Sequence, residues 1–201
     1  VARRLGVLLA GGRGTRLSSG GPKALARLAG ATLLDRAVAT LSAACDELVI
    51  VAPSALGLPI PSGCRNVEDD GRGPLPALVA GLESAPYELA LVLGVDYPLV
   101  GADLLNAVAD RLGHAPGVVP RPDAHLQPLV AAYAPRACAD IIATLARGER
   151  SLVAAVEAIG VRVIERAALA ALPGGLDRFL NVNTPADLAE AERRLAAMER
   201  R

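Results

Sequence analysis

Three strand-like runs, apolar except for Glu47, constrain this chain more than any other feature: Leu5 to Ala10, Glu47 to Val51 and Leu89 to Leu93. Each is closed within two residues by Gly11, Pro53 or Gly94. They are continuous rather than alternating, so they predict strands buried on both faces, as in a parallel sheet covered by helices. The segments between them have helical spacing. Thr32-Leu-Leu-Asp35 has the pattern of a capping box opening a helix to about Ala44, with apolar residues at 33, 34, 37, 38 and 41. Pro74 to Ser84 and residues 102–112 read as two more helices, with Pro74 acceptable in a first turn.

Further on, Gly117 to Pro120 and Leu129 to Ala134 predict strands, and helices follow at about 136–147 and 152–159, the latter with Ser151 as N-cap. Arg162 to Glu165 reads as a strand and Phe179 to Val182 as a short extended piece. Thr184 caps a last helix to about Met198. Strands alternating with helices imply an α/β sheet with helices on both faces. The length of 201 residues suits one domain, residues 1–201. Hydrophobic residues are 52% of the chain but aromatics only 2%, so Ala, Leu and Val must fill the core.

In such sheets ligands sit beyond the carboxyl ends of the strands. Gly11–Pro22, Asp69–Gly73 and Asp96–Pro98 all follow strand-like pieces and are expected on one rim. The charge distribution fits this. Residues 1–34 carry Arg3, Arg4, Arg13, Arg16, Lys23 and Arg27 and no acid, whereas residues 66–110 carry eight acids against Arg72 alone. Both a phosphate-plus-metal site and two solvated faces account for this division. The net charge of zero argues against bulk attraction to nucleic acid or an anionic membrane.

Cys45, Cys64 and Cys138 are too scattered for a disulfide framework, and with only His114 and His125 beside them they offer no zinc-ligand spacing. They read as reduced thiols of a cytoplasmic protein. The apolar run ending at Gly11–Gly12 is too short for a signal-peptide core.

Leu9-Ala-Gly-Gly-Arg-Gly-Thr-Arg16-Leu, followed by Gly21-Pro-Lys23-Ala-Leu, is the most informative segment. Glycines let a backbone approach an anion, while Arg16 and Lys23 supply full positive charge. It is not a dinucleotide fingerprint, because Leu17 stands where a small residue is needed. Nor is it a Walker loop, because Lys23 lies between Pro22 and Ala24. Asp96, just past the third run and ahead of Tyr97-Pro98, is an oxygen ligand of the kind Mg²⁺ takes, or simply a helix-entry aspartate.

The Gly-x-Gly-Thr-Arg…Pro-Lys pattern after a first strand resembles the nucleotidyltransferase superfamily. Within it, the chain looks most like the molybdenum cofactor guanylyltransferases, the MobA-like family. The parallels run in order through Val67-Glu-Asp69, Gly73-Pro-Leu75, Val95-Asp96-Tyr-Pro98, Gln127-Pro-Leu129, Gly148-Glu-Arg-Ser-Leu152 and Leu180-Asn-Val-Asn-Thr-Pro185. The resemblance implies a three-layer α/β/α nucleotidyltransferase domain, Rossmann-like, with a mostly parallel sheet and one antiparallel strand. It implies transfer of GMP from GTP to molybdenum-molybdopterin, with Mg²⁺ as cofactor.

Residue by residue, the resemblance gives Arg16, Lys23 and Asp96 the catalytic roles, Asp96 also holding the metal. Leu9, Ala10, Gly11 and Gly12 supply backbone to the nucleotide, Lys23 meets its phosphates, and Asp69 meets the guanine edge. Asp70 is the rival of Asp69, and both also read as turn residues. Arg13 has no counterpart, and His125 reads as a surface residue. Expected partners are GTP and molybdopterin, with molybdoenzymes or cofactor-insertion proteins beyond them, no nucleic acid and no membrane, for a monomer or weak homo-oligomer.

The chain departs from the family in two places. Arg16-Leu17-Ser18 stands for Arg-Met-Gly, and Ala52-Pro53 stands where the family has an Asn near the base. The cytidylyl paralogue, other small NTP:phosphate nucleotidyltransferases (sugar-phosphate or phospholactate) and a non-catalytic nucleotide-binding chaperone are the alternatives.

Overall fold

The computed structural model describes residues 3–12, 17 and 21–200. The first strand, β1 (Arg4–Leu9), is followed by a small hairpin of β2 (Arg27–Leu28) and β3 (Ala31–Thr32), then by α1 (Leu33–Ser42). Next come β4 (Glu47–Ala52), β5 (Cys64–Glu68), α2 (Pro74–Glu83), β6 (Leu89–Gly94) and α3 (Ala102–Ala109). The second half holds β7 (Gly117–Arg121), β8 (Val130–Tyr133), α4 (Pro135–Ala146), α5 (Leu152–Ala158), β9 (Arg162–Glu165), α6 (Arg166–Ala170) and α7 (Pro185–Glu199).

Seven strands form one sheet in the order β5-β4-β1-β6-β8-β7-β9. Neighbours are parallel except at β8, which runs against both β6 and β7. Alternation along β1 divides the core. Leu8 joins Leu34, Leu41, Ile50, Leu93 and Leu104 beneath α1 and α3. Leu5, Val7 and Leu9 join Val51, Leu78, Tyr133, Ile141 and Val156 beneath α2, α4 and α5. The apolar runs are continuous because each strand must satisfy both layers.

The capping boxes form as the sequence predicts. Thr32 accepts from the Asp35 N–H and Asp35 answers the Thr32 N–H, and Thr184 and Asp187 do the same at the start of α7. Ser151 accepts from the Ala154 N–H at the start of α5. The strand-like piece ahead of Asp69 is the edge strand β5, whose mostly polar and exposed residues form no apolar run. Two expectations need correction. Phe179–Val182, expected as extended, begins instead in a 3-10 turn, Gly175–Phe179. Residues 166–170, for which the sequence predicts no element, form the short helix α6. Among the described residues, no helix is long and apolar enough to cross a membrane.

Candidate active site

Because β1, β5 and β6 point the same way, the segments following them meet at one rim. There they line a cleft of about 290 Å³ that includes Leu9, Gly11, Gly12, Lys23, Asp69 and Asp96. Ala10 lies in the core beside them, its N–H on the Val51 carbonyl at 2.9 Å. Arg16, and with it Arg13, lies outside the described residues. Of the six basic residues of the N-terminal segment, Lys23 is the one that the described structure brings into the cleft. Arg3 pairs instead with Glu47, and Arg4 donates to Asn106.

Three polar or charged side chains are buried among the described residues: Thr144, Lys23 and Asp69. Two of the three therefore face this cleft, where burial of a charge calls for a specific partner. Gly12 and Lys23 both line the cleft, and the Lys23 N–H donates to the Gly12 carbonyl at 3.2 Å. The Lys23 ammonium lies 2.7 Å from Asn183 Oδ1 and 3.5 Å from Asp96 Oδ2.

Asp69 follows β5 directly. Its N–H reaches the Ala52 carbonyl at 3.4 Å, and its Oδ1 accepts from the Gly71 N–H at 2.9 Å, an Asx turn that fixes the carboxylate. Its rival Asp70 is placed differently. Asp70 does not line the cleft and is half-exposed, and it pairs with Arg72, which holds its carboxyl below the usual carboxylate range.

Asp96 follows β6, its carboxylate folded over Gly94, where a Cβ would stand 2.5 Å from Oδ1. Its backbone carbonyl accepts from the Val182 N–H at 2.8 Å. The neighbouring Tyr97 is buried and donates its hydroxyl to Gln127 Oε1; burial, and then the Asp96 charge, push that phenol's pKa up. Asn183 and Tyr97 lie in segments that the sequence singles out without giving either residue a role. Asn183 falls in the Leu180–Pro185 segment of the resemblance, but nothing in the sequence pairs it with Lys23.

The donor set decides which metal suits the cleft. Among the described residues, no three His, Cys, Asp or Glu side chains gather to hold an ion. The Asp96 carboxylate, in a cleft whose other charged residues are Lys23 and Asp69, fits Mg²⁺, which is commonly held by one or two carboxylates together with substrate phosphates. It does not fit a closed zinc site.

Compared with known proteins, residues 6–163 match the family described as the MobA-like NTP transferase domain. The chain is similar to a molybdenum cofactor guanylyltransferase of Desulfosudis oleivorans, with 33% identity over 96% of each protein. It is also similar to a probable molybdenum cofactor guanylyltransferase of Chloroflexus aggregans, with 37% identity over 77% of this chain and 76% of the relative. In structure it is similar to molybdopterin-guanine dinucleotide biosynthesis protein A of Archaeoglobus fulgidus, with a TM-score of 0.79 and 24% identity, covering 96% of this chain and 99% of the other. With more than half of its length matched, the chain belongs to the MobA-like NTP transferase domain family.

Proposed function

We propose that this chain is a single nucleotidyltransferase domain that transfers GMP from GTP to molybdenum-molybdopterin, giving the guanine dinucleotide form of the cofactor and pyrophosphate. The observation that carries the reading is the sharing of one cleft by buried Asp69, buried Lys23 and rim Asp96. The full-length similarity to molybdenum cofactor guanylyltransferases supports the choice of acceptor.

In the reaction, an oxygen of the acceptor's terminal phosphate forms a bond to the α-phosphorus of GTP, and the bond from that phosphorus to the bridging oxygen of pyrophosphate breaks. The acceptor phosphate is already anionic at neutral pH, so the chain supplies no nucleophile. Its task is to hold two anions in line and to offset the charge that develops on the transferred and leaving groups.

The Lys23 ammonium meets the phosphates from one side, and the backbone of Leu9, Ala10, Gly11 and Gly12 lets them approach. Arg16, between Gly12 and Lys23 in the sequence, adds a second cation. Asp69 accepts from the ring N–H and the exocyclic amine of guanine. Members of the family generally use a divalent metal; here Asp96 would hold Mg²⁺, which when bound supplies charge neutralisation on the triphosphate. GTP and molybdopterin are the substrates on this reading, and the molybdoenzymes or insertion proteins that receive the product are the partners.

The test is competition among GTP, CTP and ATP in turnover with Mg²⁺ and molybdopterin. The expected result is a GTP preference of at least about tenfold in kcat/KM, because a wrong base leaves Asp69 unpaired. A preference for CTP establishes the cytidylyl activity instead. Nucleotide binding with no turnover of any of the three establishes a non-catalytic carrier.

A further inference from the structure

The cation and the carboxylate that the proposed reaction uses are already paired with each other. The Lys23 ammonium lies 3.5 Å from Asp96 Oδ2, and both side chains are largely buried in the cleft. Neither partner is loose. The ammonium also donates to Asn183 Oδ1 at 2.7 Å, and the Asp96 carboxylate is folded over Gly94 on its Oδ1 side, with Oδ2 toward the lysine. Asp96 follows β6, which runs parallel to β1 and in register with it, so the sheet itself holds the carboxylate where the lysine meets it.

We infer that Asp96 takes a divalent cation only together with a triphosphate, because Lys23 holds the place of the metal until phosphate accepts the ammonium. The inference rests on the reading of Asp96 as the metal ligand and of Lys23 as the lysine that meets the triphosphate. A divalent ion at an oxygen already paired with an ammonium meets a like charge, in a cleft where little salt or water screens the two. Breaking the pair in favour of the metal alone strands a buried lysine charge, which is costly as well. A triphosphate removes both costs at once. Its oxygens accept the ammonium, and they add the metal ligands that one carboxylate lacks. The pair is thus a gate against free metal, and by reciprocity metal and triphosphate each strengthen the binding of the other.

Mn²⁺ is the probe, followed on the full chain by the loss of its free paramagnetic signal, beside thermal melting. Without nucleotide, wild type and Asp96→Asn are expected to bind Mn²⁺ poorly and within about threefold of each other. Lys23→Met keeps the stem and removes the charge, and is expected to bind it at least about tenfold tighter than wild type. That gain should vanish in Lys23→Met/Asp96→Asn. Nucleotide-free wild type that binds Mn²⁺ about tenfold tighter than Asp96→Asn overturns the gate, because the carboxylate is then open beside its lysine. So does a Lys23→Met variant that binds no tighter than wild type, or a gain that survives in the double variant. If Lys23→Met melts early, Lys23→Gln takes its place. If both melt early, the comparison of wild type with Asp96→Asn decides, since residue 23 is unchanged in each.

GTP affinity with and without Mn²⁺ separates the gate from the reading beneath it. Wild type is expected to gain at least about tenfold from the metal, and Asp96→Asn less than about threefold. Equal gains take the metal away from Asp96 and overturn reading and gate together. A gain confined to wild type, beside tight nucleotide-free binding of Mn²⁺ at Asp96, keeps the reading and overturns the gate alone. No acceptor enters either measurement, so a chain that turns over no molybdopterin fails the proposed reaction while the gate is still decided. If CTP or ATP binds in place of GTP, the measurement is made with that nucleotide, and binding of none of the three overturns both.

Discussion

A Cβ atom on Gly11 would stand 2.5 Å from Asp69 Oδ2. The carboxylate that follows β5 thus rests against the backbone that follows β1, and only a residue without a side chain leaves room for it. Gly11→Ala is expected to push Asp69 out of position without unfolding the sheet, lowering kcat/KM for GTP by about tenfold or more while CTP and ATP change little. Steady-state kinetics with the three nucleotides checks it, and an equal loss for all three points to the phosphates instead.

Asp69→Ala is expected to abolish most of the guanine preference, whereas Asp70→Ala keeps it. Asp70 is committed to Arg72 outside the cleft, and Asp69 is buried within it. Selectivity ratios of the two variants decide between them. Full selectivity in Asp69→Ala would assign the base contact to the backbone.

Asp96→Ala is expected to cost about 10²–10³ in kcat with Mg²⁺, the usual loss for one electrostatic group, and to melt close to wild type. The fold tolerates it because the contact to Val182 uses the Asp96 backbone carbonyl, which the substitution leaves in place. Turnover and melting are measured on the same preparation. Near-normal activity removes Asp96 from the site.

All three thiols have raised pKa values through burial, Cys45 to about 12 and Cys138 to about 11. Little thiolate forms at neutral pH, so alkylation by iodoacetamide should be slow, fastest at Cys64 and slowest at Cys45. A triple Ser variant should keep its activity, because no thiol lines the cleft. Loss of activity in a folded triple variant would contradict this.

The Asp187 carboxyl is held below the usual range, first by the Asn183 N–H and then by Thr184. A lowered carboxylate pKa contributes stability above its ordinary value of 3.8 and loses that contribution as pH falls through the folded value. The melting-temperature gap between wild type and Asp187→Asn should therefore be full at pH 6 and close below about pH 4. A gap that does not narrow at all as pH falls from 6 through the acid range would mean the cap does not depend on ionisation.

The parts of this molecule that the sequence makes legible are those whose causes are local. β1 and β6 announce themselves because burial on both faces demands uninterrupted Leu, Val and Ala. Thr32 with Asp35, and Thr184 with Asp187, announce helix starts because a cap is chemistry over four residues. β5 does not, since an exposed edge strand such as Cys64-Arg-Asn-Val-Glu68 needs no apolar run. Leu129 to Ala134 reads as a strand, but its reversed direction is a property of its neighbours and comes only through the family resemblance. In the cleft, motif position singles out Lys23, Asp69 and Asp96. Asn183 lies in a segment of the resemblance, but its contact with Lys23 is not legible, because the two residues stand 160 apart in the chain.

That separation of 160 residues has a consequence for how the protein is made. A ribosome extends the chain from its N-terminus at about 5–20 residues per second, so roughly 8–32 s pass between the emergence of Lys23 and that of Asn183. β1, β4, β5 and β6, adjacent in the sheet, are all synthesised by Gly94 and free to pair during that interval. The lysine gains its amide acceptor only near the end of translation. A nascent chain halted before residue 181 would carry all seven strands of the sheet and Lys23, but not the amide oxygen that meets the lysine.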